Sequence, residues 1–165
     1  MASGTLLRAV ESGRTVDVLE LLRRNEHTSQ DLCNAIGAAV ASGQQEIVGL
    51  LVDAGADPNC VPRNHLPPLF SAIEHHRVDI IALLVKLGAD VNLRINDGQT
   101  PLLWAIDVEG DLAWQTESNA VADISGPLLS LGADPSVADA AGVLPIDLAR
   151  RYGHLQAVEL LLIRR

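Results

Sequence analysis

The chain has 165 residues, the length of one compact domain or one short helical array, and 48% of them are hydrophobic, which argues against disorder. Its 21 acidic residues outnumber 12 basic ones, and a formal charge of −9 repels phosphate backbones and anionic lipid, so nucleic acid and membrane surfaces are not expected partners. No apolar stretch approaches the roughly 20 residues a membrane-spanning helix needs, and Met1-Ala2-Ser3-Gly4 opens no leader, so a soluble, cytoplasmic chain is expected.

Aromatic residues make up only 2% of the chain, namely Phe70, Trp104, Trp114 and Tyr152. The core must therefore come from Leu, Ile, Val and Ala, which suits many thin helix-helix contacts.

Taken in chain order, helical pairs recur. Leu6-Leu7-Arg8-Ala9-Val10-Glu11-Ser12-Gly13 followed by Val18-Leu19-Glu20-Leu21-Leu22 reads as a first pair without a proline start, the divergence expected of a terminal cap. The second pair ends in Leu50-Leu51-Val52-Asp53-Ala54-Gly55-Ala56-Asp57-Pro58-Asn59, and the third repeats that pattern as Leu83-Leu84-Val85-Lys86-Leu87-Gly88-Ala89-Asp90-Val91-Asn92, with the glycines 33 residues apart. A third copy reads Leu128-Leu129-Ser130-Leu131-Gly132-Ala133-Asp134-Pro135. A glycine just past a Leu-rich helix closes its last turn in the left-handed region at low cost.

Each later unit also opens with a proline that presets the first helical turn: Pro68, Pro101 and Pro145. Ala39, Ala72, Ala105 and Ala149 hold equivalent places and let neighbouring first helices approach closely. Five units are expected, at approximately 1–30, 31–61, 62–94, 95–138 and 139–165, forming one continuous all-α domain. Arg164 and Arg165 close the fifth, where a helix C-terminus favours positive charge.

The fourth unit is irregular. Gly88 to Gly132 spans 44 residues instead of 33, an excess of 11 that falls within Asp107-Val108-Glu109-Gly110-Asp111-Leu112-Ala113-Trp114-Gln115-Thr116-Glu117-Ser118-Asn119. A repeat array accommodates such an insertion as a surface loop, expected over 107–125. Trp114 amid Asp107, Glu109, Asp111 and Glu117 suits an acidic contact for a basic partner. In the alternative, Trp114 folds back onto the stack and the carboxylates are only solvated.

Chemistry-bearing motifs are sparse. Asp107-x-Glu109-x-Asp111 has alternating oxygen ligands but lacks the glycine and the bidentate glutamate of a calcium loop. His75 and His76 are adjacent, so on a helix they diverge by about 100° and cannot share a metal, and His76 stands where a turn glycine is usual. No nucleophile lies beside a base and no glycine-rich phosphate loop occurs, so no enzymatic activity, cofactor or metal is expected. Cys33 and Cys60 lie 27 residues apart in separate units; stacking could make them neighbours, but a reduced pair is expected in a cytoplasmic chain.

The openings Leu66-Pro67-Pro68-Leu69-Phe70-Ser71-Ala72, Asp97-Gly98-Gln99-Thr100-Pro101-Leu102-Leu103-Trp104-Ala105 and Ala141-Gly142-Val143-Leu144-Pro145-Ile146-Asp147-Leu148-Ala149 resemble the ankyrin Thr-Pro-Leu-His-x-Ala signature. Only Thr100 keeps the threonine, and Phe70, Leu103 and Asp147 replace the histidine. Gly153-His154 matches the turn between the family's two helices. The resemblance implies a helix-turn-helix solenoid that binds another protein on a rigid concave face. It nominates Arg63, Asn64, Leu66, Glu74 and His75 in the third unit, Asn96, Asp97, Gln99 and Asp107 in the fourth, and Val143, Arg151 and Tyr152 in the fifth, beside Glu109, Asp111 and Trp114 of the insertion. Trp104 follows the core register. An adaptor or inhibitor is the leading expectation. Short acidic chains with such an enlarged loop look like bacterial stand-alone members of the family, some of which serve as immunity partners of toxins, and a metal-dependent or accessory enzyme using Asp107, Glu109, Asp111 and a histidine is the rival from another class.

Overall fold

A computed structural model describes residues 3–24, 26–63, 65–116 and 121–163, which form helices and turns with no strand among them. Asn64, Arg164, Arg165 and the 117–120 part of the insertion lie outside the described residues. The helices fall into pairs: α1 (Ser3–Glu11) with α2 (Thr15–Arg23), α3 (Ser29–Ala41) with α4 (Gln45–Asp53), α5 (Pro68–Glu74) with α6 (Val78–Lys86), α7 (Pro101–Thr116) with α8 (Ser125–Ser130), and α9 (Pro145–Tyr152) with α10 (Leu155–Ile163). They belong to two compact units, Met1–Ala89 and Asp90–Arg165.

In the first unit α3 packs between α1 and α5, while α4 packs between α2 and α6. The alanines that the repeat aligns, Ala39 and Ala72, are fully buried between the first helices, where a larger side chain would force them apart. Leu6, Val10, Ile36, Val40, Ile47, Leu51, Phe70, Ile73, Ile80 and Leu84 are buried in the core of this unit. Each such aliphatic contributes about 1.5–3 kcal/mol by leaving water. Of the Leu pairs, Leu51 and Leu84 are buried and Leu50 and Leu83 only partly so, because consecutive helical positions diverge by about 100°.

The second unit repeats the scheme, α7 against α9 and α8 against α10, with Leu102, Leu103, Ala105, Ile106, Leu128, Ile146, Ala149 and Leu161 inside. Trp104 is half-buried.

Local signals explain the boundaries. Thr28 and Asp31 make a reciprocal capping box at the start of α3, the Asp31 N–H donating to Thr28 Oγ1 and the Thr28 N–H to Asp31 Oδ2. Buried Thr100 caps α7 by accepting the Leu103 N–H (3.3 Å), which is why the threonine precedes the proline. Gly88 ends α6 at φ 100. His76 adopts φ 53 in a turn where glycine would carry no strain.

The Asp-x-Asn segments after these helices also interlock within each unit. Asp57 Oδ1 accepts the Asn59 N–H (2.9 Å), and the Asn59 amide then donates to the carbonyl of Gly88 one repeat later (3.1 Å). Asp90, Asn92 and Gly132 repeat this, and Asn92 Oδ1 accepts the Asp134 N–H as well.

Two expectations are corrected. The fourth-unit insertion is not a surface loop from Asp107 onward: α7 simply continues to Thr116, sixteen residues where α5 has seven. Nothing between 101 and 116 breaks a helix except Gly110, and the extra turns bury Glu109 and Gly110. Cys33 and Cys60 are not reduced but joined in a disulfide, because stacking the second pair on the loop after α4 brings their Cα atoms to 5.9 Å.

Candidate functional site

In the first unit the ends of α1, α3 and α5 and the loop before α5 enclose a groove of about 490 Å³. Four nominated residues meet there: Arg63 and Leu66 from the loop, Glu74 and His75 from the end of α5. Leu7, Ala38 and Ala41 supply apolar lining, and Glu11, Ser42 and His65 add polar groups. His75 is oriented through Nδ1, 2.8 Å from the Ser71 carbonyl oxygen. Glu11 and Glu74 place two carboxylates on helix C-termini, where the backbone carbonyls add partial negative charge.

The loop wall is fastened to α3 at three successive points. Cys60 is bonded to Cys33, Pro62 lies against Gly37 so closely that a Cβ there would stand 2.8 Å from Pro62 Cγ, and the Arg63 N–H donates to Asn34 Oδ1 (3.1 Å). Residue 37 lies between residues 33 and 34 around α3, at i+4 and i+3 from them, so the three anchors fall within an arc of about 100° that seats the loop.

Repeat register would have located the lining that the motif search missed. Counting from the buried alanines Ala9, Ala39 and Ala72, the position two residues on holds Glu11, Ala41 and Glu74, and the next holds Ser12, Ser42 and His75. All but Ser12 line the groove.

In the second unit Asp107, Asp111 and Trp114 fall on one face of α7, at i, i+4 and i+7. The Tyr152 hydroxyl sits 2.7 Å from Asp107 Oδ1 and 3.1 Å from Asp111 Oδ1, with its ring stacked against Gly110. Burial of the phenol, then the hydrogen bond and charge of Asp107 and those of Asp111, hold its pKa well above the ordinary tyrosine range. One hydroxyl proton serves two carboxylates, so the patch keeps surplus negative charge. Trp114 does not fold back: it is 85% exposed.

Glu109 is the exception among the nominated residues, since it is only 4% exposed. Its Oε1 accepts the N–H groups of Ile124 (2.7 Å) and Ser125 (2.9 Å) at the start of α8, and its Oε2 lies 3.1 Å from Nε2 of fully buried His154. The Ala157 N–H points at His154 Nδ1 (3.4 Å), which leaves Nε2 as the donor to the carboxylate. Glu109 thus faces away from Asp107 and Asp111, and the three carboxylates envisaged for a metal do not converge. Among the described residues no three His, Cys, Asp or Glu side chains are grouped to hold a cation.

The remaining nominated residues are scattered. Asn96 and Asp97 are exposed in a single 3-10 turn with Gln99 half-buried behind them, and the Asp97 carbonyl accepts the Ala140 N–H of the next turn. Arg151 is exposed, and Val143 is half-buried with its N–H on Asp139 Oδ1. No helix among the described residues is long and apolar enough to cross a membrane.

No curated protein matches the chain at a significant level. The family model for ankyrin repeats, three copies, matches residues 6–95, more than half of the chain, and stops short of the lengthened α7 that breaks the 33-residue period. With paired helices, interlocked Gly-Ala-Asp turns and that match, the chain belongs to the ankyrin-repeat family.

Proposed function

We propose that this chain is an adaptor or inhibitor that holds an extended segment of another protein in the groove of its first unit. Ankyrin repeats in general mediate protein-protein interaction, and the groove offers what such a segment needs: a small-residue floor, apolar lining, and polar groups at its rim. Four side chains nominated through the ankyrin resemblance, Arg63, Leu66, Glu74 and His75, meet in that groove, and their convergence carries the reading. Its wall is held before any partner arrives, so association freezes little further motion.

The preferred partner is basic. The formal charge of −9, the carboxylates Glu11 and Glu74, and the surplus negative charge of Asp107 and Asp111 beside exposed Trp114 support this. A basic toxin would be one such partner, which keeps the immunity role within this reading.

The test is capture of a partner on immobilised protein, comparing the parent with Leu66→Glu, Glu74→Lys and the distant control Val16→Ser. The purified partner is then mapped by hydrogen exchange. Loss of binding in the first two variants, retention in the control, and protection over residues 60–75 are expected. A partner that leaves 60–75 unprotected and binds Leu66→Glu as well as the parent defeats the reading.

A further inference from the structure

The disulfide is placed where it governs the groove. Cys33 is buried at 4% exposure in α3, one residue before Asn34 and one turn before Gly37, which are the other two anchors of the loop. Cys60 is half-buried and opens the segment that carries Pro62, Arg63, His65 and Leu66, three of which line the groove. Without the bridge, the Arg63 N–H to Asn34 Oδ1 hydrogen bond and the Pro62 contact with Gly37 still join the loop to α3. Cys33 itself belongs to the buried core beside Ile36, whereas Cys60 lies outside it, so the bridge ties a loop to a helix that Leu32, Ile36, Ala39 and Val40 also bury.

We propose that Cys33–Cys60 is a redox clasp that fixes the wall of the binding groove when oxidised and releases it when reduced. The chemistry is ordinary thiol-disulfide exchange with a dithiol reductant. One thiolate of the reductant attacks Sγ of the more accessible Cys60, forming a mixed disulfide there and expelling the Cys33 thiolate, which takes up a proton. The second thiol of the reductant then displaces Cys60, leaving two protein thiols and an oxidised dithiol, a transfer of two electrons. In a reducing compartment the loop from Cys60 to Leu66 is held weakly and the groove loses its Arg63 and Leu66 side; in an oxidising one the wall is preset. Only the consequence for a partner rests on the groove as a binding site, and the loop's behaviour can be measured with no partner present.

The measurement is limited trypsin digestion, following the rate of cleavage after Arg63 by mass spectrometry. It is run on the intact chain treated with oxidised glutathione, on the chain reduced with dithiothreitol, and on Cys60→Ser and Cys33→Ser variants. Free thiols are counted in denaturant and helix content is followed by circular dichroism. The oxidised chain is expected to show no free thiol. The reduced chain and both variants are expected to be cut after Arg63 at least about tenfold faster, with helix content unchanged and cleavage after Arg77 unaltered. Two free thiols after oxidation, equal cleavage rates, or a general loss of helix on reduction would each overturn the proposal, the last by making the bridge a support of the whole unit. The groove reading fails by a different result, a partner that leaves residues 60–75 unprotected.

Discussion

Replacing Glu109 tests how the lengthened helix is used. In Glu109→Ala the Ile124 and Ser125 amides and the His154 ring lose their acceptor at once, all three inside the second unit. Each unsatisfied buried donor costs about 1–3 kcal/mol. With α8 only six residues long and its N-cap residue Ile124 making no side-chain hydrogen bond, a loss of about 4 kcal/mol is expected for the three donors together. Glu109→Gln keeps an acceptor for the two amides but sets an NH₂ against the His154 donor, so its loss is expected at about 1–2 kcal/mol. Urea unfolding by circular dichroism measures both, and hydrogen exchange at Ile124 and Ser125 localises the effect. If Glu109→Ala costs under about 1 kcal/mol, or if Gln is as harmful as Ala, the carboxylate is not the acceptor that organises α8.

Three glycines inside helices give opposite signs. Gly49→Ala, with nothing within 4 Å of the added methyl, is expected to stabilise by about 0.5–1 kcal/mol in thermal or urea unfolding. Gly110→Ala puts a Cβ 2.4 Å from Tyr152 Cγ and is expected to lose about 1–3 kcal/mol despite the better helix former, with equal unfolding midpoints counting against the packing described. Gly37→Ala drives a methyl into Pro62 and is expected to loosen the loop, seen as faster exchange of the Arg63 amide. The chain has a single tyrosine, so phenolate absorbance reports Tyr152 alone, and its midpoint is expected well above the usual value of about 10 and lower in Asp107→Asn. Because the folded state holds the phenol proton more tightly than the unfolded chain, this contribution to stability is intact below about pH 10 and is lost as pH rises through the raised folded value; a midpoint at the usual value would refute it.

The fold was legible because its signals are local and repeated: proline at a first turn, glycine past a last turn, alanine where helices touch. The disulfide was not, because spacing alone could not fix the 5.9 Å approach, and redox compartment argued the other way. The form of the insertion was hidden for another reason. Ala105-Ile106-Asp107-Val108-Glu109 continues a helix as readily as it ends one, and the reward for continuing, the buried Glu109 pairing with His154 forty-five residues away, is long-range. A buried carboxylate among surface ones carries no local mark, so Glu109 was grouped with Asp107 and Asp111 when only those two meet Tyr152.

The register position two residues after each buried alanine holds Glu11, Ala41, Glu74, Asp107 and Arg151, while the alanines themselves do not change. Were that position structural, packing would have kept it uniform as it keeps Ala39, Ala72, Ala105 and Ala149, all of them fully buried. Its side chains instead run from methyl to carboxylate to guanidinium, and four of the five are charged. If the groove of the first unit holds a partner as proposed, Glu11 and Glu74 there can reject a wrong ligand as well as attract the right one. The three examples in the first unit, Glu11, Ala41 and Glu74, all border the same groove, so on the proposed reading a change of side chain there is expected to alter partner binding with little effect on stability, as comparison of binding and urea unfolding in Glu74→Lys would show.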